Sequence, residues 1–168
     1  MINVESLRGM IAEELKAWDQ PSISVGIVKD GKVELAEGFG YANMDKQVKP
    51  DPDTLYQIGS CSKAFTAAAV AILVDRGILE WDKPVVSYMP WLRFKEPFTT
   101  ANVTVRDLLC HRTGLPRHDA YWIDGPCTRK EMVENLRNMQ PGWSFRSHWC
   151  YQNTCIVAAG MLVEEMTG

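Results

Sequence analysis

The chain has 168 residues, with 18 Lys and Arg against 21 Asp and Glu and a formal net charge of −3. That length can hold one domain with a real core, and 46% hydrophobic with 23% charged residues is the composition of an ordinary globular protein. Nothing basic favours nucleic acid as a partner, and no apolar run reaches the length of a membrane span.

Val4, Leu7, Ile11, Leu15 and Trp18 recur at helical spacing, which predicts an amphipathic helix at the start. This opening carries Glu5, Glu13 and Glu14 and lacks the basic and apolar regions of a signal peptide. The expectation is therefore a cytoplasmic protein. Ser22 to Val28 and Lys32 to Ala36 are β-prone runs joined by Asp30-Gly31, a strong hairpin signal. A loop rich in Pro, Asp and Gly follows, from Tyr41 to Asp53. From Ala64 to Val74 only Thr66 is polar, the pattern of a helix buried on all sides, ended by Gly77 and Asp82-Lys83-Pro84. Thr104 with Asp107 fits a capping box opening a short helix that Gly114 and Pro116 close. Thr128 with Glu131 repeats the signature for a helix broken by Pro141-Gly142. A last helix is expected from about Thr154 to Met166, with Gly168 as its C-cap residue.

The five cysteines, Cys61, Cys110, Cys127, Cys150 and Cys155, are odd in number and match no zinc spacing. They read as reduced thiols with no metal.

Ser60 and Lys63 carry the chemical signal. Ser60 follows Ile58-Gly59 at the mouth of the apolar helix. A helix start offers free N–H groups and the positive end of a dipole, which stabilise a developing oxyanion. Lys63 lies on the same face one turn deeper. Burial there would lower its pKa and make it a usable base. A nucleophile beside a desolvated lysine is the arrangement of serine–lysine acyl transfer. The competing reading is an ordinary N-cap serine beside an exposed first-turn lysine.

The segment Leu55-Tyr-Gln-Ile-Gly-Ser-Cys-Ser-Lys-Ala-Phe-Thr-Ala resembles the active-site segment of the serine β-lactamase and penicillin-binding protein superfamily, nearest to the class C β-lactamases, related esterases and D-aminopeptidases. Gly38-Phe-Gly-Tyr-Ala-Asn, Thr104-Val-Arg-Asp-Leu-Leu-Cys-His-Arg-Thr-Gly-Leu-Pro and Tyr151-Gln-Asn153 are similar to further segments of that branch, in the same order. The resemblance implies an α+β, β-lactamase/transpeptidase-like fold across residues 1–168, with a helical region and an incomplete antiparallel sheet.

By the same resemblance Ser60 is the nucleophile and Lys63 its base. Tyr151 shares proton transfer and protonates the leaving group. Asn153 holds Lys63 and contacts the substrate amide, and it is also well suited to capping the last helix. The three groups Ser60 Oγ, Lys63 Nζ and Tyr151 hydroxyl should then converge within direct or one-water reach, roughly 3–5 Å. An earlier Tyr41-Ala-Asn43 follows the hairpin and reads as structural. His111 and His118 suggest a Ser/His triad, but no G-x-S-x-G elbow surrounds Ser60, and His111 falls where a histidine complements a helix C-terminus. His148 could line the cleft, and Trp122, Trp143 and Trp149 could shape an acyl pocket or belong to the core.

The superfamily's third motif, Lys, His or Arg followed by any residue and Gly, is absent before Gly168, as are the strands around it. The expected protein is a serine hydrolase forming an acyl-enzyme at Ser60 on an ester, amide or lactam carbonyl of a small molecule or peptide. It needs no cofactor, metal, nucleic acid or membrane. The alternatives are a truncated or degenerate relative that only binds a ligand or partner chain, and a Ser/His hydrolase of another fold. The unpaired sheet edge invites self-association or a complementing chain.

Overall fold

In the computed structural model, which describes residues 3–123 and 127–168 apart from the side chains of Ala120 and Trp122, two units separate: Met1–Gln57 and Ile58–Gly168. The first begins with α1 (Val4–Ala17), capped by Asn3, whose side chain accepts from the Ser6 N–H. Strands β1 (Ser22–Lys29) and β2 (Lys32–Gly40) pair antiparallel. Asp30 and Gly31 both sit at positive φ, 49° and 74°, as a two-residue primed turn requires. Ile27 pairs with Leu35 and Val28 with Val33, so Glu34 is the extra residue of a bulge. The hairpin runs on to Gly40, beyond the expected Ala36, because Glu37 to Gly40 still find partners back to Ser22. Leu35 is buried, while Ile23, Val28 and Val33 are exposed. Arg8 on α1 donates to Glu37 on β2 at 2.9 Å. The Tyr41–Asn43 repeat of the motif leads into a turn, Asn43 bridging Val48 and accepting from the Lys46 N–H.

The second unit is helical: α2 (Ser62–Asp75), α3 (Pro97–Asn102), α4 (Val105–Leu109), α5 (Ala120–Ile123), α6 (Arg129–Glu134) and α7 (Asn153–Thr167), with a 3₁₀ turn at Gly59–Cys61. Its centre is α7. Cys155, Ala158, Ala159 and Leu162 recur at i, i+3, i+4 and i+7 and are buried. Small residues there let α2, α4 and α6 approach, with Val70, Leu73, Leu108, Val133 and Leu136 closing the core. The two capping boxes form as expected, at Thr104–Asp107 and Thr128–Glu131.

Two expectations change. The helix from Ser62 buries Val70 and Leu73, but Phe65 is 68% and Ile72 50% exposed. It packs along one face on α7, and composition alone could not show that its other face lacks a partner within this unit. The short helix after Thr104 ends at Leu109, five residues before Gly114. His111, at φ 58°, takes the left-handed position after the helix that a glycine often fills. Gly114 serves another purpose. Its carbonyl accepts from the Gly142 and Trp143 N–H groups, and a Cβ there would strike the Trp143 carbonyl. Among the described residues no helix is long and apolar enough to cross a membrane.

Asp107 is fully buried and joins α4 to the loops on either side of the core. Its carboxylate accepts from the Thr104 N–H and hydroxyl at 2.9 Å each, from Arg112 Nε at 2.5 Å and from Arg146 Nη2 at 2.6 Å. Burial alone would push this carboxyl up. The hydrogen bonds from Arg146, Thr104 and Arg112 outweigh it and lower the pKa to about 2. A carboxyl depressed in the folded state contributes stability that is present above its unfolded value, near ~4, and lost as pH falls through the folded one. Asp107→Asn should therefore cost on the order of 3 kcal/mol at neutral pH. Urea melts between about pH 5 and pH 2 should show the two proteins drawing together as the wild type loses this contribution. Curves that stay parallel over that range would count against this role.

Candidate active site

Ser60 lies in the 3₁₀ turn that leads straight into α2, so its own N–H is among the first-turn groups that lack an intrahelical acceptor. Lys63, one turn on, is half-buried and donates from Nζ to Ser60 Oγ at 3.0 Å. The Tyr151 hydroxyl, 91 residues further along, donates to the same oxygen. Lys63 Nζ also lies 4.6 Å from the centroid of the Tyr151 ring. Ser60, Lys63 and Tyr151 are thus brought together, and Ser60 is open to solvent.

The local electrostatics favour the phenolate. The Lys63 ammonium is the largest influence, followed by the Ser60 hydroxyl. With a smaller contribution from the Arg117 charge, they hold the Tyr151 phenol below its ordinary value against the opposing effect of burial. Arg117 sits with its guanidinium 5.2 Å from the Tyr151 ring centroid, and its Nε pairs with Asp119 at 2.6 Å. Two cations therefore flank one phenol.

Tyr151 is held by its neighbours in the chain. Gln152 is fully buried and, rather than Asn153, is the cap of α7: its Oε1 accepts from the Thr154 N–H at 2.7 Å. Its Nε2 donates to the Pro116 carbonyl at 2.9 Å, and its N–H donates to His111 Nδ1 at 3.1 Å. Asn153 is the first residue of α7 and half-buried, and its side chain makes no hydrogen bond among the described residues. Lys63 is held by Ser60 and Tyr151 rather than by Asn153.

The other aromatic and histidine candidates divide between the site and its surroundings. His111 does not cap the end of α4; its ring turns to Tyr151 and Trp149. His148 stacks on Trp143 with ring centroids 4.2 Å apart. Trp149 is exposed, and the side chain of Trp122 lies outside the described residues. His118 Nε2 is buried with no hydrogen-bond partner among the described residues. Cys155 is buried against Thr113, and burial pushes its thiol up to about 12, so this cysteine is inert. Gln152 and His111 were not recognised as site residues in the sequence. A buried glutamine between the motif residues gives no hydrophobic signal, and the contact between residues 111 and 152 is made only on folding.

A family model described as beta-lactamase matches residues 7–168. The unguisins hydrolase ungD' of Aspergillus campestris is 33% identical over 168 aligned residues, covering 95% of this chain and 31% of that protein. The octameric penicillin-binding protein homologue from Pyrococcus abyssi superposes with a TM-score of 0.85 at 31% identity, over 99% of this chain and 40% of that one. The D-amino acid amidase of Ochrobactrum anthropi superposes with a TM-score of 0.75 at 30% identity, over 92% and 43%. The chain spans about a third of the length of the curated relatives it matches.

Of the five tyrosines, Tyr151 should ionise at lower pH than an ordinary phenol. A UV-difference titration should show an early-ionising tyrosine that disappears in Tyr151→Phe and moves upward in Lys63→Met. A Lys63→Met titration identical to wild type would remove Lys63 as the cause.

Proposed function

The chain belongs to the beta-lactamase family, and from that premise we propose that it is the nucleophile-bearing part of a serine hydrolase working through an acyl-enzyme at Ser60. The observation that carries this reading is the convergence of Lys63 Nζ, at 3.0 Å, and the Tyr151 hydroxyl on Ser60 Oγ. A serine hydroxyl is a weak nucleophile until a neighbouring base takes its proton. With Tyr151 as the phenolate that the Lys63 ammonium favours, Ser60 Oγ attacks the substrate carbonyl carbon and its proton passes to the Tyr151 oxygen. The carbonyl oxygen gains the negative charge, which the Ser60 N–H at the helix start stabilises. When the carbonyl re-forms, the bond to the leaving group breaks and Tyr151 returns a proton to that group. Water then attacks the ester on Ser60 by the same route in reverse, releasing the acid.

Amide substrates fit this assignment better than esters alone. An amine leaves only if it is protonated as the bond breaks, and Tyr151 lies directly against the nucleophile from which the proton comes. The similarity to a D-amino acid amidase points the same way. Asn153, half-buried with a side chain that makes no hydrogen bond among the described residues, is the group left to receive the substrate amide.

Intact-mass analysis with a fluorophosphonate and with a penicillin should show one covalent adduct each, mapped by digestion to Ser60. Ser60→Ala should abolish both. Lys63→Ala and Tyr151→Phe should each slow acylation about 10²–10⁴-fold, the usual cost of a positioned proton-transfer group. Adducts that survive in Ser60→Ala would end the assignment.

A further inference from the structure

His111 is bonded to both neighbours of Tyr151. Its carbonyl accepts from the Cys150 N–H at 2.9 Å, and its ring Nδ1 accepts from the Gln152 N–H at 3.1 Å. The Tyr151 ring lies 4.7 Å from the imidazole, tilted by 32°, and the Trp149 ring lies 5.8 Å away edge-on. The two bonds fix the backbone on either side of Tyr151, and the ring contact fixes the phenol itself. An Nδ1 that accepts must be bare, which assigns the ring proton of the neutral form to Nε2.

The geometry points to His111 as a positioning residue whose neutral imidazole, through the Gln152 N–H bond and the ring contact, holds the Tyr151 phenol on Ser60 Oγ. The inference rests on the reading of Ser60, Lys63 and Tyr151 given above. Its consequence is a built-in dependence on protonation. A proton on Nδ1 turns the acceptor into a donor facing the Gln152 N–H, leaving that N–H unpaired at the start of α7. It also adds a cation beside the two that already flank Tyr151. The charged and titratable groups around the ring are Lys63 from α2 and Tyr151 from the segment before α7, with Arg117 beyond the Tyr151 ring. Burial first, and then the Lys63 charge, push the His111 pKa below its ordinary value. The imidazole therefore stays neutral at neutral pH, and positioning is lost as pH falls through that lowered value.

The test uses the full chain with two replacements. His111→Phe keeps a ring and removes the acceptor. His111→Asn offers Oδ1 close to where Nδ1 lies, tolerates the left-handed backbone at this position and cannot take up the proton. With a small activated ester, His111→Phe should lose about 10²-fold in kcat, the scale of a catalytic group misplaced by about 1 Å, with little change in KM. His111→Asn should recover most of that loss, and its kcat should not show the acid-side fall of the wild type. In a UV-difference titration the early Tyr151 ionisation should survive in His111→Asn and move up in His111→Phe. An undiminished kcat in a folded His111→Phe protein would overturn the proposal. So would an Asn variant as slow as the Phe variant, or an Asn profile with the wild-type acid limb. If His111→Phe does not fold, the Asn pH profile and titration decide alone. Hydrolysis that persists in Ser60→Ala strikes instead at the serine–lysine reading and is seen independently of either His111 variant.

Discussion

The buried carboxylate of Asp107 is shared among three stretches of chain. It accepts from Thr104 at the start of its own helix, from Arg112 just after that helix, and from Arg146 five residues before Tyr151. The loops that carry His111 and Tyr151 are thus tied to one point in the core. A carboxylate fits this purpose because it accepts several hydrogen bonds at once, and here both oxygens are used. The two arginines remain partly exposed, 37% for Arg112 and 43% for Arg146, so their outer faces keep water while the shared anion loses it. The desolvation of the anion is offset by five or more charge-assisted or neutral bonds within one small volume.

With the loops fixed, the site works by contrast between a rigid rear and an open front. Gln152 is buried and bonded on its backbone and at both ends of its side chain, whereas Tyr151, beside it, projects its hydroxyl to an exposed serine. The phenol has Lys63 and Arg117 close to its ring. Lys63 is the larger influence on the phenol because it is hydrogen-bonded to it, whereas Arg117 acts only through its charge. The charge that lowers the phenol therefore comes from the same helix whose start carries Ser60. The S-x-x-K spacing encodes this directly, since residues three apart share a helix face.

Much of this was legible in the residues themselves. Asp30-Gly31 placed the hairpin, the two capping boxes placed α4 and α6, and the stretch closed by Gly168 placed α7. Ser60 and Lys63 were readable because their relation is local. Tyr151 came from resemblance, because no local rule relates a tyrosine to a serine 91 positions away. What stayed hidden was set by tertiary contact. The apolar run of α2 reads as buried on every side, yet burial depends on what lies opposite, and Phe65 and Ile72 face outward. Asn is the better capping residue by propensity, but Gln152 caps α7 because its side chain is trapped between Pro116 and Thr154. A histidine after a short helix suggests a dipole contact, and the pairing with residues 150 and 152 that replaces it requires the fold.

The backbone around Tyr151 bears the mark of that requirement. His111, His118 and Arg146 all sit at positive φ, at 58°, 51° and 63°. None is glycine, and a left-handed non-glycine residue costs on the order of 1 kcal/mol. Such residues persist only where their surroundings over-determine them. Arg146 is held by its hydrogen bonds to Asp107 and the Asn102 carbonyl, and His111 by its bonds to Cys150 and Gln152. Glycine at either place would relieve the backbone and lose the side chain that the bend exists to aim. The strain and the polar contacts are therefore one device. The bend at 146 points a guanidinium into the core, and the bend at 111 points an imidazole at the motif, so the tyrosine reaches the serine from a loop whose freedom has been removed at both ends.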